Sequence, residues 1–269
     1  MTNLEQSDYL SALLDLKFIP VGFKFLKTKE EFESFEAQTT KNKTAYCALL
    51  KRSMTKGLIK ATVKNLNCPG AARALGLMEI PEIFKSGVHG LKMNIYKDVN
   101  ISKFVANNVI YAKELHYGFV VGPLADFSYN TDVVILLGSP YQAMRVAQSY
   151  TYGYGIKKDI TLTGNQAFCS ELTATPFLNQ NINFSMLCSG TRFIAKWDDN
   201  TLGIGIYGEF VEKIIEGILG TLNSIEPNAK KKKIIQNLEN KKLNLQNIDI
   251  KMNENYYLDC YTLNSVKKS

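Results

Sequence analysis

The apolar positions follow two periods along the chain, and the switches between them mark alternating helices and strands. Residues 4–16 place Leu10, Leu13 and Leu14 on one face of a short helix, which Phe18-Ile19-Pro20 breaks. Val21, Phe23 and Phe25 then alternate with Gly22 and Lys24, the period of a half-buried strand. Residues 28–38 are highly charged and read as surface. Thr44 starts a helix that runs to about Met54, with Cys47, Leu50 and Met54 on one stripe. Gly57 stops it, and Ile59, Ala61 and Val63 alternate as a strand. Cys68-Pro69-Gly70 turns the chain into a short helix over residues 71–77.

Pro81 opens a short helix ending near Ser86-Gly87; a strand is expected near 91–96 and a helix near 101–107. Phe119-Val120-Val121 is a short strand, and residues 133–137 form the continuous apolar run of a strand buried on both faces. Ser139-Pro140 is a strong helix start, and Ala143, Val146, Ala147 and Tyr150 make that helix's inner face. Tyr152-Gly153-Tyr154-Gly155 reads as a flexible join. A strand at Ile160 and Leu162, a helix starting near Cys169, a strand at Phe184 and Met186 and another over 193–197 follow. Residues 209–222 are the cleanest amphipathic helix. These elements give an α/β chain, with α+β as the alternative, built as a mixed sheet with flanking helices. The expected division is one core domain over residues 1–226 and a lysine-rich extension over 227–269 that carries one helix and one strand.

Composition supports an ordinary core: 269 residues, 45% hydrophobic and 11% aromatic. The net charge of +7 is concentrated late, with Lys230-Lys231-Lys232-Lys233, Lys241-Lys242, Lys251 and Lys267-Lys268 after position 228. Without a nucleic-acid motif the lysines read as a solvated face, so nucleic acid is a disfavoured partner. The first residues do not form a signal peptide, and no stretch approaches the ~18 apolar residues of a membrane span. The expected location is cytoplasmic, with no membrane contact; a homodimer or a redox partner protein are the candidate associations. Disulfides seldom persist in that compartment, so the five cysteines are expected to be ligands, reactive thiols or buried small hydrophobes.

Four of them form two similarly spaced pairs. Cys47 and Cys68 have twenty residues between them, Cys169 and Cys188 have eighteen, and Cys-x-Gly occurs at Cys68 and Cys188 with Arg73 and Arg192 a few residues on. The repetition suggests an internal duplication of two cysteine-containing halves. Thiolates are soft ligands for iron–sulfur clusters or zinc, and Gly70 and Gly190 would let backbone approach the sulfurs. Zinc is less favoured because no close Cys-x2–4-Cys pair exists. Cys47, on its apolar stripe, also fits a buried hydrophobe. Gly203-Ile204-Gly205-Ile206-Tyr207-Gly208 matches a dinucleotide fingerprint by letter, but no strand with an acidic residue follows its helix, so neither nicotinamide nor flavin is expected. His89 and His116 are the only histidines and lack catalytic or metal spacing. Arg73 and Arg192 could clamp an anion, and Glu171 could serve as a base or as a helix N-terminal charge.

A family resemblance runs from about Leu10 to Leu222. It rests on Pro20-Val21-Gly22-Phe23-Lys24, Tyr46-Cys47, Cys68-Pro69-Gly70-Ala71-Ala72 with Leu75-Gly76-Leu77, Gly122-Pro123-Leu124, Asp132-Val133-Val134-Ile135, Gln142-Ala143-Met144-Arg145, Gly164-Asn165-Gln166-Ala167-Phe168-Cys169-Ser170-Glu171, and Cys188-Ser189-Gly190-Thr191-Arg192. On these the chain resembles the uncharacterised domain-of-unknown-function family 169 of archaea and anaerobic bacteria. Cys47, Cys68, Cys169 and Cys188 fall on that family's cysteine landmarks and Cys260 does not; Gly-Ala follows Cys68-Pro69 where Gly-Gly is common. The resemblance implies a shared four-cysteine site and supplies no activity.

The function expected from this sequence is a [4Fe–4S] cluster held by Cys47, Cys68, Cys169 and Cys188, with Gly70, Gly190 and Arg192 around it, for redox, cluster-delivery or sensing work. The alternatives are a metal-free enzyme or small-molecule-binding domain with a reactive Cys169 or Cys188, and a basic interaction module.

Overall fold

The computed structural model describes residues 1–243 and 248–252. Along the chain come α1 (Asn3–Leu14), β1 (Val21–Leu26), α2 (Lys29–Ser34), β2 (Gln38–Thr39), α3 (Tyr46–Lys56), β3 (Ile59–Thr62), α4 (Pro69–Ala74), α5 (Glu82–Lys85), α6 (Val88–Lys92) and α7 (Val99–Asn108). Then follow β4 (Gly118–Pro123), β5 (Val133–Gly138), α8 (Pro140–Tyr154), a π-helix over Ala167–Ala174, α9 (Thr175–Asn179), β6 (Ile182–Ser185), α10 (Ser189–Phe193), β7 (Leu202–Tyr207), α11 (Val211–Ile225) and α12 (Asn228–Asn240).

The strands form one seven-stranded mixed sheet in the order β2-β3-β4-β1-β5-β7-β6, with helices flanking it. Among the described strands, only β2 and β3 pair in parallel and the other strand pairings are antiparallel. The two-residue period divides the core. Val133, Ile135 and Leu137 of β5 join Val21, Phe23 and Phe25 of β1 beneath α3, α4 and the π-helix. Val134 and Leu136 point to the other face, where α1, α8, α11 and α12 pack. The continuous apolar run of β5 is thus explained by burial on both sides. Local signals set the helix ends. Thr2 and Glu5 close a capping box on α1, and Ser139 and Gln142 close another on α8, which has Pro140 at its first position.

Three expected strands are replaced. Residues 88–92 are helical, entered from Gly87 at φ 81°, so the strand near 91–96 does not form. Residues 189–193 form α10, which displaces the strand over 193–197. Ile160 and Leu162 lie in irregular chain, yet Thr161 is paired as if in a sheet. Its N–H donates to Asn183 Oδ1 at 3.0 Å and its carbonyl accepts from Asn183 Nδ2 at 3.0 Å. A side-chain amide supplies the ladder that a strand would have supplied, which an apolar pattern cannot reveal. The charged stretch 28–38 holds α2, capped by Thr28, and the start of β2.

The lysine-rich segment begins with a helix that belongs to the core. Ile234 and Leu238 of α12 are buried with α1 and α11. Asn237 donates to Asp15 at 2.9 Å, and Lys231, fully buried, donates to the carbonyls of Asn223 and Lys251 at 2.9 and 2.6 Å. Beneath α12, Arg145 meets Glu226 at 2.5 Å, both buried. The strand expected in the extension, and Cys260, lie outside the described residues. Among the described residues no helix is long and apolar enough to cross a membrane.

Candidate functional site

The site lies on the α3–α4 face of the sheet, where four segments bring one cysteine each. Cys47 is the second residue of α3, Cys68 precedes α4 as its N-cap, Cys169 is in the π-helix, and Cys188 is the N-cap of α10. The π-helix reaches this place because β7 is stripped of side chains beneath it. A Cβ on Gly203 would stand 2.3 Å from the Leu172 side chain, and one on Gly205 would stand 2.3 Å from the Leu172 carbonyl oxygen. The glycine spacing at 203–205 is therefore a packing requirement of a strand under a wide helix. Tyr46 ties α3 to the same helix through a 3.0 Å hydrogen bond with Thr173 Oγ1.

All eight residues of the π-helix are buried, including Glu171. Its carboxylate accepts from Thr163 N at 2.7 Å, Thr163 Oγ1 at 3.0 Å, Gly164 N at 3.0 Å and Ser185 Oγ at 2.5 Å. Gly164 turns there with φ 69°, a backbone region that favours glycine. Glu171 thus fastens the preceding loop to β6 and is neither an exposed base nor a helix N-terminal charge.

The four thiols are free and share one neighbourhood. Burial pushes the Cys47 thiol up to about 11, with the Cys188 and Cys68 sulfurs adding to the effect. Cys169 is also held well above the ordinary thiol range, again by burial first and then by Cys68 and Cys188. Cys68 and Cys188 are half-buried, and Cys188 Sγ lies 3.1 Å from Thr191 Oγ1.

This arrangement corrects the iron–sulfur and metal-binding expectation. Among the described residues no three or more His, Cys, Asp or Glu side chains are grouped so as to hold a metal ion. A metal centre needs thiolates converging at about 2.3 Å on one point. Here the sulfurs pack against the apolar core of the α3–α4 face, and for Cys47 and Cys169 burial favours the protonated thiol. The supporting roles expected of Gly70, Gly190 and Arg192 change with it. A Cβ at Gly70 would meet Cys68 Sγ at 3.7 Å, and one at Gly190 would meet Cys188 Sγ at 3.9 Å, both ordinary contacts, so neither position demands glycine. Arg192 donates to the carbonyls of Met186 at 2.8 Å, Thr201 at 2.9 Å and Asp198, holding its own loop together.

Arg73 is different. It is 6% exposed, and its Nε and Nη1 have no hydrogen-bond partner. Its Cζ stands 3.4 Å from the centroid of the Phe84 ring. Burial lowers its pKa, against the pull of Tyr111, Cys169 and Cys68. Gln166 donates to the Tyr111 hydroxyl at 3.2 Å, while its own Oε1, closed off from solvent, lacks a partner. The sequence flagged Arg73 only as one of two arginines near a cysteine. Phe84 lies in the short helix opened by Pro81 and Tyr111 in a stretch assigned to no element, and nothing in the pattern singled them out.

The chain belongs to domain-of-unknown-function family 169, described as uncharacterised ArCR, whose profile matches residues 9–217. It is 26% identical over 209 residues to an uncharacterised protein of Methanocaldococcus jannaschii, covering 77% of this chain and 88% of that one. No solved structure matches.

Proposed function

We propose that the chain is a small-molecule-binding domain that works through a reactive cysteine at the thiol cluster. The observation that carries this reading is the gathering of four free thiols in graded environments on one face of the sheet. Nucleophilic strength follows the thiolate fraction. At pH 8 a thiol raised to about 11 is only about one part in a thousand thiolate. Cys169, held well above the ordinary thiol range by burial and only 8% exposed, is shielded twice over, which removes it from the two candidates the sequence offered. Cys188, with a hydroxyl against its sulfur, and Cys68, beside Arg73, are the reacting candidates.

Alkylation of the folded protein with iodoacetamide, followed by peptide mapping, tests this. The thiolate sulfur displaces iodide from the reagent. Cys68 and Cys188 should be labelled well before Cys47 and Cys169. Labelling of Cys169 as fast as the others, or of no thiol until the protein is unfolded, would remove the reading.

A further inference from the structure

We infer that the ligand of this site is a small hydroxy- or amino-carboxylate, whose carboxylate is the missing counter-ion of Arg73 and whose neighbouring donor meets Gln166. The inference rests on the reading of the thiol cluster as a binding site and names what it binds. A guanidinium is charged at any ordinary pH, and a buried charge requires a partner. Arg73 is buried, and among the described residues no carboxylate forms an ion pair with it. The groups that bear on its charge are a phenol and two thiols, Tyr111, Cys169 and Cys68. Phe84 lies against the guanidinium, with Cζ 3.4 Å from its ring centroid, and Nε and Nη1 are left buried and without an acceptor, the donors with which arginine grips an oxyanion. A lone acceptor sits in the same network: Tyr111 links Arg73 to Gln166, and Gln166 Oε1 is shut off without a donor. An inorganic anion without a hydroxyl, such as sulfate, would answer the arginine and leave Gln166 unmet. A carboxylate with an adjacent hydroxyl or amino group answers both, and the sulfur of Cys68 lies beside it.

Glycolate is the smallest probe with both features. In thermal unfolding of the full chain, glycolate at about 50 mM should raise the melting temperature by ~2 °C or more over sodium chloride of equal ionic strength. Acetate, lacking the hydroxyl, should raise it less. Arg73→Met should abolish the shift, and Gln166→Leu should reduce the glycolate shift to the acetate level. No glycolate shift in the wild-type protein, or a shift that survives in R73M, overturns the inference. A sulfate shift equal to that of glycolate overturns the role given to Gln166. Should R73M fail to fold, glycolate protection of wild-type Cys68 against iodoacetamide decides; unchanged labelling overturns the inference. The two readings fail separately: thiols inert to iodoacetamide remove the reactive cysteine, and an absent melting shift removes the carboxylate.

Discussion

Two short turns of the same Cys-x-Gly pattern, Cys68-Pro69-Gly70 and Cys188-Ser189-Gly190, open two short helices on the same face of the sheet. In both, the cysteine is the N-cap, the glycine sits beside its sulfur at ordinary contact distance, and an arginine follows within the helix. They are anchored by opposite means. The second is held by polar groups: Arg192 bonds three carbonyls of its own loop, and Ser185, just before it, donates to buried Glu171. The first is held by apolar packing of Ala71, Ala72, Ala74 and Leu75, and its arginine keeps two nitrogens unmatched. A cation whose donors are satisfied within the chain serves the fold; one buried with donors unsatisfied is available to something else. The difference separates two arginines that the sequence presents alike.

The most severe way to break the comparison is to remove the polar anchor of the second turn. Glu171→Ala leaves four donors without their acceptor in a fully buried position. We expect a loss of about 3–5 kcal/mol in denaturant unfolding. A loss below ~1 kcal/mol would mean that this network does not anchor the second turn. Next in size, Arg192→Met removes three charge-assisted bonds to carbonyls at a half-buried site. A loss of about 2 kcal/mol is expected from the same measurement.

The long helices and part of the sheet were legible because each rests on a period or a cap: the run at 133–137, the Ser139-Pro140 start and the amphipathic stretch at 209–222 all form as expected, while β7 was masked by Gly203 and Gly205. The fold draws the four cysteines from four segments, with Cys68 and Cys188 bearing on the charge of both Cys47 and Cys169. The metal centre was an error of chemistry. Residue type and spacing cannot say whether sulfurs converge on a point or pack sideways into a core, and here they pack. The strand expected at 193–197 failed because five residues from Ser189 close a helical turn first, leaving Phe193 and Ile194 exposed. The lysine-rich segment misled in another way. Its composition reads as a solvated face, but Lys231 is buried and donates to the carbonyls of Asn223 and Lys251, and Ile234 and Leu238 reach the core.

A smaller effect sharpens the account of the first turn. The end of α4 is tied to residues 112–116: Ala112 N–H donates to the Ala74 carbonyl at 2.9 Å, His116 N–H donates to Gly76 at 2.7 Å, and His116 Nδ1 lies 3.2 Å from the Leu75 carbonyl. Burial of His116 lowers its pKa; the Leu75 carbonyl, Glu114 and Asp132 oppose the effect and Lys27 adds to it. The folded chain thus holds this ring neutral at pH values where the unfolded chain protonates it. Stability is complete above the ordinary histidine value of 6.5 and falls as pH drops below it. His116→Phe preserves the ring stacked on Phe25 at 4.1 Å and removes the titration. The variant should lose less stability than the wild-type protein between pH 7 and pH 5.5. Equal slopes would show that the ring is not held neutral in the fold.

The smallest expected effect decides the most. Arg73→Met removes a buried charge and two unmatched donors while keeping an unbranched chain against Phe84. Deleting a paired buried charge strands its partner and costs several kcal/mol; deleting an unpaired one removes an unmet desolvation cost. The change should therefore lie within ~1 kcal/mol of zero, or stabilise, in contrast to the loss expected for Arg192→Met in the other turn. Arg73→Lys should be no better than R73M, because a lysine would bury the same charge without the planar face that rests on Phe84. If R73M instead costs ~3 kcal/mol or more, Arg73 is satisfied within the folded chain, the two turns are anchored alike, and the need for an external counter-ion disappears.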